Sequence, residues 1–202
     1  ATSCTVTISG TSADSSGTTT QFTVAVTNVN EAPTVTSAIS DGSIAEDAAY
    51  TLDTSSAFTD VDSGDSCTYT MSGAPSTLSI SSGTISGTPI NANVGTHTIV
   101  VTATDGSNAA VSDTFVLTVT NTNDAPTISS TAVTAATEDA AYSYTTTAAD
   151  VDTGDTVTLT CTTVPSLMTC ASGALTGTPV TENVGSHSVV ITASDGTSSV
   201  TD

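Results

Sequence analysis

Residues 94–106 read VGTHTIVVTATDG, and residues 184–196 read VGSHSVVITASDG. In the first copy, the apolar residues Ile99, Val101 and Ala103 occupy alternate positions, and in the second copy Val189, Ile191 and Ala193 do so. Successive side chains of a β-strand point to opposite faces, so this period of two predicts a strand with one buried face. The Asp-Gly pair that closes each copy is typical of a turn. The sequence therefore predicts the same strand and turn twice, 90 residues apart.

The repeat extends well beyond this strand, because VTNVNEAPTV at residues 26–35 returns as VTNTNDAPTI at residues 119–128. We therefore divide the chain into three parts, of which only the second is a whole repeat. The parts are residues 1–30, the C-terminal part of a first repeat; residues 31–123, a complete β-sandwich; and residues 124–202, a second β-sandwich that lacks its last strand.

Short strand patterns and turn residues alternate within each repeat, and no helical periodicity interrupts them. Several strands in about 90 residues are typical of a β-sandwich. The abundance of Thr and Val also favours strands, since these residues suit a pleated, half-buried surface. We predict an all-β chain of tandem β-sandwich domains in a linear array.

The last strand of the complete repeat has the pattern FVLTV at residues 115–119, and residues 22–26 read FTVAV. Asp202 matches Asp113, so the counterpart of this strand would follow Asp202 directly. A sandwich without its last strand has an open sheet edge. We expect either that the chain continues in sequence, which we prefer, or that residues 22–26 of another copy insert there. An unfilled side would expose Val184, Val189 and Ile191.

The chain carries 20 acidic residues and neither Lys nor Arg, which gives a formal net charge of −20. Nucleic-acid binding depends on cationic side chains that displace phosphate counterions, so this class of function is excluded. Membrane insertion is not expected either, because no apolar run approaches the roughly 20 residues of a spanning helix. Small cations are the ligands that this charge favours.

Three further motifs point to a known family: FTDVD at residues 58–62, GTISGTP at residues 83–89, and the strand VGTHTIVVTATDG. Together with the Asn-x-Asn-acid-Ala-Pro linker, they resemble dystroglycan-type cadherin-like domains, which occur in tandem in bacterial surface proteins and adhesins. The resemblance covers residues 31–202 and, more weakly, residues 1–30. It implies cadherin-like or immunoglobulin-like sandwiches and an extracellular or cell-surface location.

Most acidic residues recur at matching positions of the repeats, in turns and linkers. A hard cation such as Ca²⁺ takes six to eight oxygen ligands from carboxylates, carbonyls and amides. Asp-x-Asp loops and Asn-x-Asn-acid linkers supply such oxygens, which indicates calcium binding. The alternative is that these side chains only solubilise turns and form Asx-turns.

The cadherin resemblance implies one calcium site at each repeat boundary. The first would be formed by Asn28, Asn30, Glu31, Asp60, Asp62 and Asp105. The second would be formed by Asn121, Asn123, Asp124, Asp150, Asp152 and Asp195, with Glu46 reaching it from the preceding repeat. Asn28 and Asn121 stand where Asp is usual in cadherins, so we expect fewer ions or weaker sites.

Cys161 and Cys170 occupy the positions of Met71 and Ile80 in the complete repeat. The joint replacement of an apolar pair by two cysteines predicts that they touch across neighbouring strands and form a disulfide in an oxidising compartment. The alternative is two buried free thiols. Cys4 and Cys67 have no assigned partners.

Two classes of function remain. The first is a structural or adhesive segment of a long extracellular surface protein or fibre, stiffened by calcium at the linkers. The partners of such a segment would be neighbouring repeats or other copies of the chain, arranged head to tail. Cell-surface or glycan ligands and O-glycosylation are also compatible with the sequence. The second is a carbohydrate- or partner-binding spacer module of a secreted enzyme. No catalytic residues are predicted, because His97 and His187 simply recur with the repeat, and we expect no enzyme.

Overall fold

The structure starts with a β-hairpin whose apolar face is exposed. The computed structural model describes residues 2–15, 17–62 and 64–202. Strands β1 (Thr2–Thr11) and β2 (Gly17–Val26) pair antiparallel, with Cys4 opposite Val24 and Val6 opposite Phe22. Within the described residues no third strand joins this sheet. The alternation of apolar side chains therefore produces an amphipathic hairpin without a covering layer.

The chain divides into two compact units. The first comprises Ala1–Ser43, Ala49–Thr88 and Thr96–Thr118, and the second comprises Ile44–Ala48, Pro89–Gly95 and Val119–Asp202. The repeat boundaries after residues 30 and 123 remain predictions.

The described residues of the complete repeat form nine strands in three sheets. The strands are β3 (Thr34–Val35), β4 (Gly42–Ala45), β5 (Tyr50–Asp53), β6 (Phe58–Thr59), β7 (Thr68–Ser72), β8 (Leu78–Ser81), β9 (Thr84–Gly87), β10 (Gly95–Thr104) and β11 (Ala110–Thr120). The sheets have the orders β4-β11-β10-β7, β5-β9-β8 and β3-β6. Long strands β10 and β11 form the centre of the largest sheet, so they supply most of its buried face.

The next repeat has eight strands in a similar arrangement. They are β12 (Thr127–Ile128), β13 (Tyr142–Thr145), β14 (Ala148–Ala149), β15 (Thr158–Thr163), β16 (Met168–Ala171), β17 (Ala174–Gly177), β18 (Val190–Ser194) and β19 (Ser199–Thr201). Their sheets have the orders β15-β18-β19, β13-β17-β16 and β12-β14.

The predicted inward faces form the core. Ile99, Val101 and Ala103 of β10 are fully buried, as are Ile191 and Ala193 of β18. Val189, which was also predicted to face inward, is only half-buried and precedes β18. Alternation therefore identified the buried face of β10 and β18 correctly. The chain is a tandem array of all-β sandwich domains, as predicted.

The turns also follow the sequence. Ser82 and Gly83 have φ angles of 48° and 82°, and Ser172 and Gly173 have φ angles of 47° and 76°. Two consecutive residues with positive φ match the twist of an antiparallel hairpin, and Gly adopts this conformation without strain. These turns connect β8 to β9 and β16 to β17.

Helical structure is limited to single 3₁₀ turns at Ser55–Ala57, Asn91–Asn93 and Thr181–Asn183 in the described residues. This agrees with the absence of helical periodicity in the sequence. No helix in the described part of the chain has the length and apolarity needed to cross a membrane.

Cys161 of β15 and Cys170 of β16 form a disulfide, with 6.1 Å between their Cα atoms. The predicted pairing is therefore present. Cys4 and Cys67 are free, Cys4 exposed and Cys67 half-buried.

Removing this disulfide should lower the free energy of unfolding by about 2–3 kcal/mol, because the bond closes a short loop in the unfolded chain. The matched variant is Cys161→Met/Cys170→Ile, which restores the apolar pair of the complete repeat at these positions. Urea unfolding of the variant and the parent, each with and without reductant, measures the effect. Reductant should destabilise only the parent, and an equal response of both proteins would contradict the prediction.

Candidate metal centres

The first acidic cluster is built around Asp62, which is buried after β6. Its Oδ1 accepts a hydrogen bond from the Asn28 side-chain amide at 2.7 Å, and its Oδ2 accepts one from the Glu31 backbone N–H at 2.9 Å. The Asp62 N–H itself donates to Asp60 Oδ1 at 2.8 Å. The linker is thus held against the Asp-x-Asp loop.

Asp105 joins the same cluster from the turn after β10. Its Oδ1 accepts the backbone N–H groups of Ser107 and Ala109, both at 2.8 Å, which is an Asx-type turn. Its Oδ2 accepts the Asn30 amide at 2.9 Å. One oxygen therefore closes the turn, as the alternative interpretation expected, while the other faces the linker.

The pKa values of the carboxyl groups in this cluster are shifted by their hydrogen bonds and by one another. Hydrogen bonds from Glu31 and then Asn28 lower the pKa of Asp62, and the hydrogen bond from Asn30 lowers the pKa of Asp105. The pKa of Glu31 is raised, first by its side-chain hydrogen bond with Asp62, then by burial and by the charges of Asp62 and Asp60. The linker carboxyl is therefore in an environment that disfavours its ionised form.

The second acidic cluster lies within the second unit and includes Glu46, Asp124 and Asp152. These three residues each offer a carboxylate oxygen within 4.8 Å of the others. Asp152 Oδ2 accepts the Asp124 N–H at 2.7 Å, and the Asp152 N–H donates to Asp150 Oδ1 at 2.9 Å. Asn123 donates to Asp195 Oδ2 at 3.0 Å, so the geometry of the first cluster is repeated.

Glu46 reaches this cluster from the end of β4. Its backbone N–H donates to the Thr120 carbonyl at 2.9 Å, and its Oε1 accepts the Thr122 N–H at 3.0 Å. The side chain is 2% exposed. Its repeat counterpart, Glu138, is exposed. Equivalent positions in the sequence are therefore in different environments in the structure.

Asn91 is a cluster residue that the sequence did not reveal. It lies in the 3₁₀ turn after β9, and its amide donates to Asp152 Oδ1 at 2.7 Å. In the first cluster the corresponding contact with Asp62 comes from Asn28, the counterpart of Asn121. Asn121 instead lines a cavity beside Asn91. In the sequence, Asn91 is distinguished only by the residues of the 3₁₀ turn. They read Asn-Ala-Asn in the complete repeat and Thr-Glu-Asn at the matching positions of the next repeat.

Three buried carboxylate oxygens in the two clusters lack any hydrogen-bond partner: Glu46 Oε2, Asp60 Oδ2 and Asp150 Oδ2. Two further triads of carboxylates have ligand atoms within 4.8 Å, formed by Asp60, Asp62 and Asp65 and by Asp150, Asp152 and Asp155. The pKa of Asp155 is raised by burial and then by the charges of Asp152, Asp150 and Asp195. Since the chain has no Lys or Arg, no such side chain can neutralise these groups.

The donor set consists of oxygens, which suits a hard cation. Zinc sites use His nitrogen and ionised Cys sulfur, and neither stands among the triads. Burial, followed by the charge of Asp60, raises the pKa of the nearby Cys67 thiol and favours its neutral form.

Two sandwiches joined by a short acidic linker define a tandem repeat of the immunoglobulin or cadherin type. The chain belongs to the family described as "Putative Ig domain", which matches residues 32–120 and 125–202. No curated protein matches the chain in sequence.

Several solved structures have a similar fold. Repeats EC22-24 of mouse cadherin-23 are 19% identical with a TM-score of 0.50, covering 98% of this chain and 71% of that one. Repeats EC1-3 of protocadherin gamma C5 are 19% identical with a TM-score of 0.49, covering 100% and 75%. An endo-fucoidan hydrolase of glycoside hydrolase family 107 is 24% identical with a TM-score of 0.43 over 100% of this chain, which spans 33% of its length. At these identities the likeness concerns the fold alone.

Proposed function

We propose that the chain is a calcium-binding structural segment of an extracellular surface protein or fibre, and that it is not an enzyme. The observation that carries this proposal is the set of buried carboxylate oxygens without partners at the two acidic clusters, in a chain without Lys or Arg. An unpaired buried charge is costly, so a cation from solvent is the available source of compensation.

Calcium fits these clusters better than magnesium. Glu46, Asp124 and the loop that carries Asp150 and Asp152 provide carboxylates from three segments of the chain. Ca²⁺ accepts six to eight oxygens in flexible geometry, whereas Mg²⁺ requires a near-ideal octahedron. Asn28 and Asn91 now direct their amide N–H groups at carboxylates. Rotation of these amides by half a turn would present their oxygens to an ion.

A bound ion at the second cluster would join parts of two consecutive repeats. Glu46 and Asn91 come from the complete repeat, while Asp152 comes from the next one and Asp124 from the linker. Calcium would therefore limit motion at the junction, which suits a segment that spaces or stiffens a longer protein. The dystroglycan-type cadherin-like resemblance and a role in bacterial surface adhesion belong to this proposal.

Partners in this role would be adjacent repeats, other copies of the chain, and cell-surface or glycan ligands. A carbohydrate-binding module commonly uses open aromatic faces to stack on sugar rings. Tyr50, Tyr69 and Tyr142 are half-buried and Tyr144 is buried, so the four tyrosines do not form an exposed aromatic strip. The structural role is therefore the better supported of the two classes.

Glu46→Gln should weaken calcium binding at the second cluster by about tenfold, because it removes one of the ligand charges that set affinity. Glu138→Gln is the matched control, since it makes the same change at the exposed counterpart. Isothermal titration of calcium into the chelator-treated 202-residue chain compares the variants with the parent. A Glu46→Gln isotherm that superimposes on the parent's would refute the assignment of Glu46.

A further inference from the structure

An open cavity of about 500 Å³ lies beside the second acidic cluster. All of its lining residues belong to the second unit, and they are Asn91, Ala92, Val94, Asn121 and Thr153. Cavities that bind small molecules in proteins typically have volumes of about 300–1,000 Å³. The cavity is therefore large enough to hold a ligand of the size of a sugar ring.

No charged residue lines this cavity, although the chain carries 20 acidic residues and several of them form the adjacent cluster. The lining combines two side-chain amides and a hydroxyl with the apolar surface of Ala92 and Val94. Val94 is 41% exposed, so its side chain is open to a ligand. This lining offers no counter-charge to an ion, and it suits a neutral ligand that carries hydroxyl groups and an apolar face.

The Asn121 amide is available to a ligand because Asn91 takes its place at the cluster. In the first cluster the counterpart of Asn121 is Asn28, which donates its amide to Asp62. In the second cluster Asn91 makes the corresponding contact with Asp152. The Asn121 side chain is exposed and makes no hydrogen bond with the described residues. One amide is thus left facing the cavity at the second cluster.

The composition of the cavity depends on the 3₁₀ turn of the complete repeat. Asn91 and Ala92 of this turn match Thr181 and Glu182 of the next repeat. The second turn therefore has a hydroxyl in place of the amide and a carboxylate in place of the methyl group. The neutral, amide-rich lining belongs to this one position in the chain and is not a general property of the repeat.

We propose that this cavity binds a neutral sugar. The Asn121 amide and the Thr153 hydroxyl form hydrogen bonds with the sugar's hydroxyl groups, and Val94 contacts the apolar face of its ring. Amides and hydroxyls both donate and accept hydrogen bonds, so they can pair with sugar hydroxyls in either direction. These contacts do not need an exposed aromatic strip. The inference specifies the glycan partner of the proposed extracellular role and rests on that role, but not on bound calcium.

Titration of the isotopically labelled 202-residue chain with glucose, galactose and mannose, followed by NMR, tests this inference. The side-chain amide signal of Asn121 should shift with a Kd on the order of 1 mM, which is expected for a ligand as small as one sugar ring. The titration is done with chelator and with calcium. Sugar binding in both conditions, combined with no calcium binding, would refute the calcium proposal alone. No shift with any of the three sugars would overturn the inference.

Two charged sugars test the chemical class of the ligand. Galacturonate should bind at least about tenfold more weakly than galactose at low salt, because a protein with a net charge of −20 repels anions. Glucosamine, a cation at pH 6, should bind no better than glucose by more than the factor that salt removes. Binding of glucosamine without binding of the neutral sugars would overturn the inference and assign the cavity to an organic cation.

Two variants locate the site. Asn121→Ala and Thr153→Ala should each weaken sugar binding by about five- to tenfold, because each removes a hydrogen-bonding group from the cavity. Both side chains are exposed, so both variants should fold like the parent. Thr156→Ala is the control, since Thr156 is exposed in the same loop but does not line the cavity. The comparison is made in chelator, which separates it from effects on calcium binding. Unchanged sugar affinity in both cavity variants would overturn the inference.

Discussion

Adding calcium to chelator-treated protein is expected to raise the free energy of unfolding by about 3 kcal/mol for each cluster that is occupied at a hundred times its Kd. The reason is that the folded state gathers carboxylates that the unfolded chain keeps apart, so the ion binds the folded state preferentially. For a single repeat, where 1 kcal/mol corresponds to about 4–8 °C, the expected rise in Tm is about 10–20 °C per cluster. Thermal unfolding in chelator and in millimolar calcium measures the shift.

The control must distinguish stabilisation by bound calcium from stabilisation by screening of the negative charges. A chain with a net charge of −20 is stabilised by any salt that screens repulsion, so the calcium and chelator samples need equal ionic strength. Magnesium at the same concentration should give a much smaller shift. Coincident unfolding curves in calcium and chelator would mean that the buried carboxylates are not compensated by this ion.

Local sequence patterns were sufficient to predict the architecture. The alternation of Ile99, Val101 and Ala103 predicted a buried strand face, because a strand's geometry is encoded in neighbouring residues. The Cys161–Cys170 disulfide followed from the comparison of repeats, since two positions that change together from apolar residues to cysteines are in contact. Both predictions used information contained within one repeat.

Contacts between repeats were harder to predict. The bond between Asn91 and Asp152 joins residues 61 positions apart, and no periodicity encodes such a pair. The sequence also gave Glu46 and Glu138 the same motif, although one is buried and the other exposed. Their burial differs because it depends on the residues that pack against each side chain, and these residues come from distant parts of the sequence.

Val189 illustrates the same limit within a single domain. Its pattern predicted an inward position, as for Ile99, yet it is half-buried and outside any strand. A strand forms only when its backbone groups find partners. The amino-acid pattern therefore encodes the tendency to form a strand. Whether the strand forms depends on a neighbouring strand that pairs with its backbone.

The pair Phe115 and Phe22 provides the sharpest test of this distinction, because the two residues hold equivalent positions in successive repeats. Phe115→Ala should lower the free energy of unfolding by about 3–5 kcal/mol, since it leaves a cavity beneath a fully buried ring. Phe22→Ala should change it by less than about 0.5 kcal/mol at low concentration, because the ring is already half in solvent. Denaturant unfolding of both variants in dilute solution measures the difference. Equal losses would show that Phe22 is packed as tightly as Phe115 and would contradict the prediction.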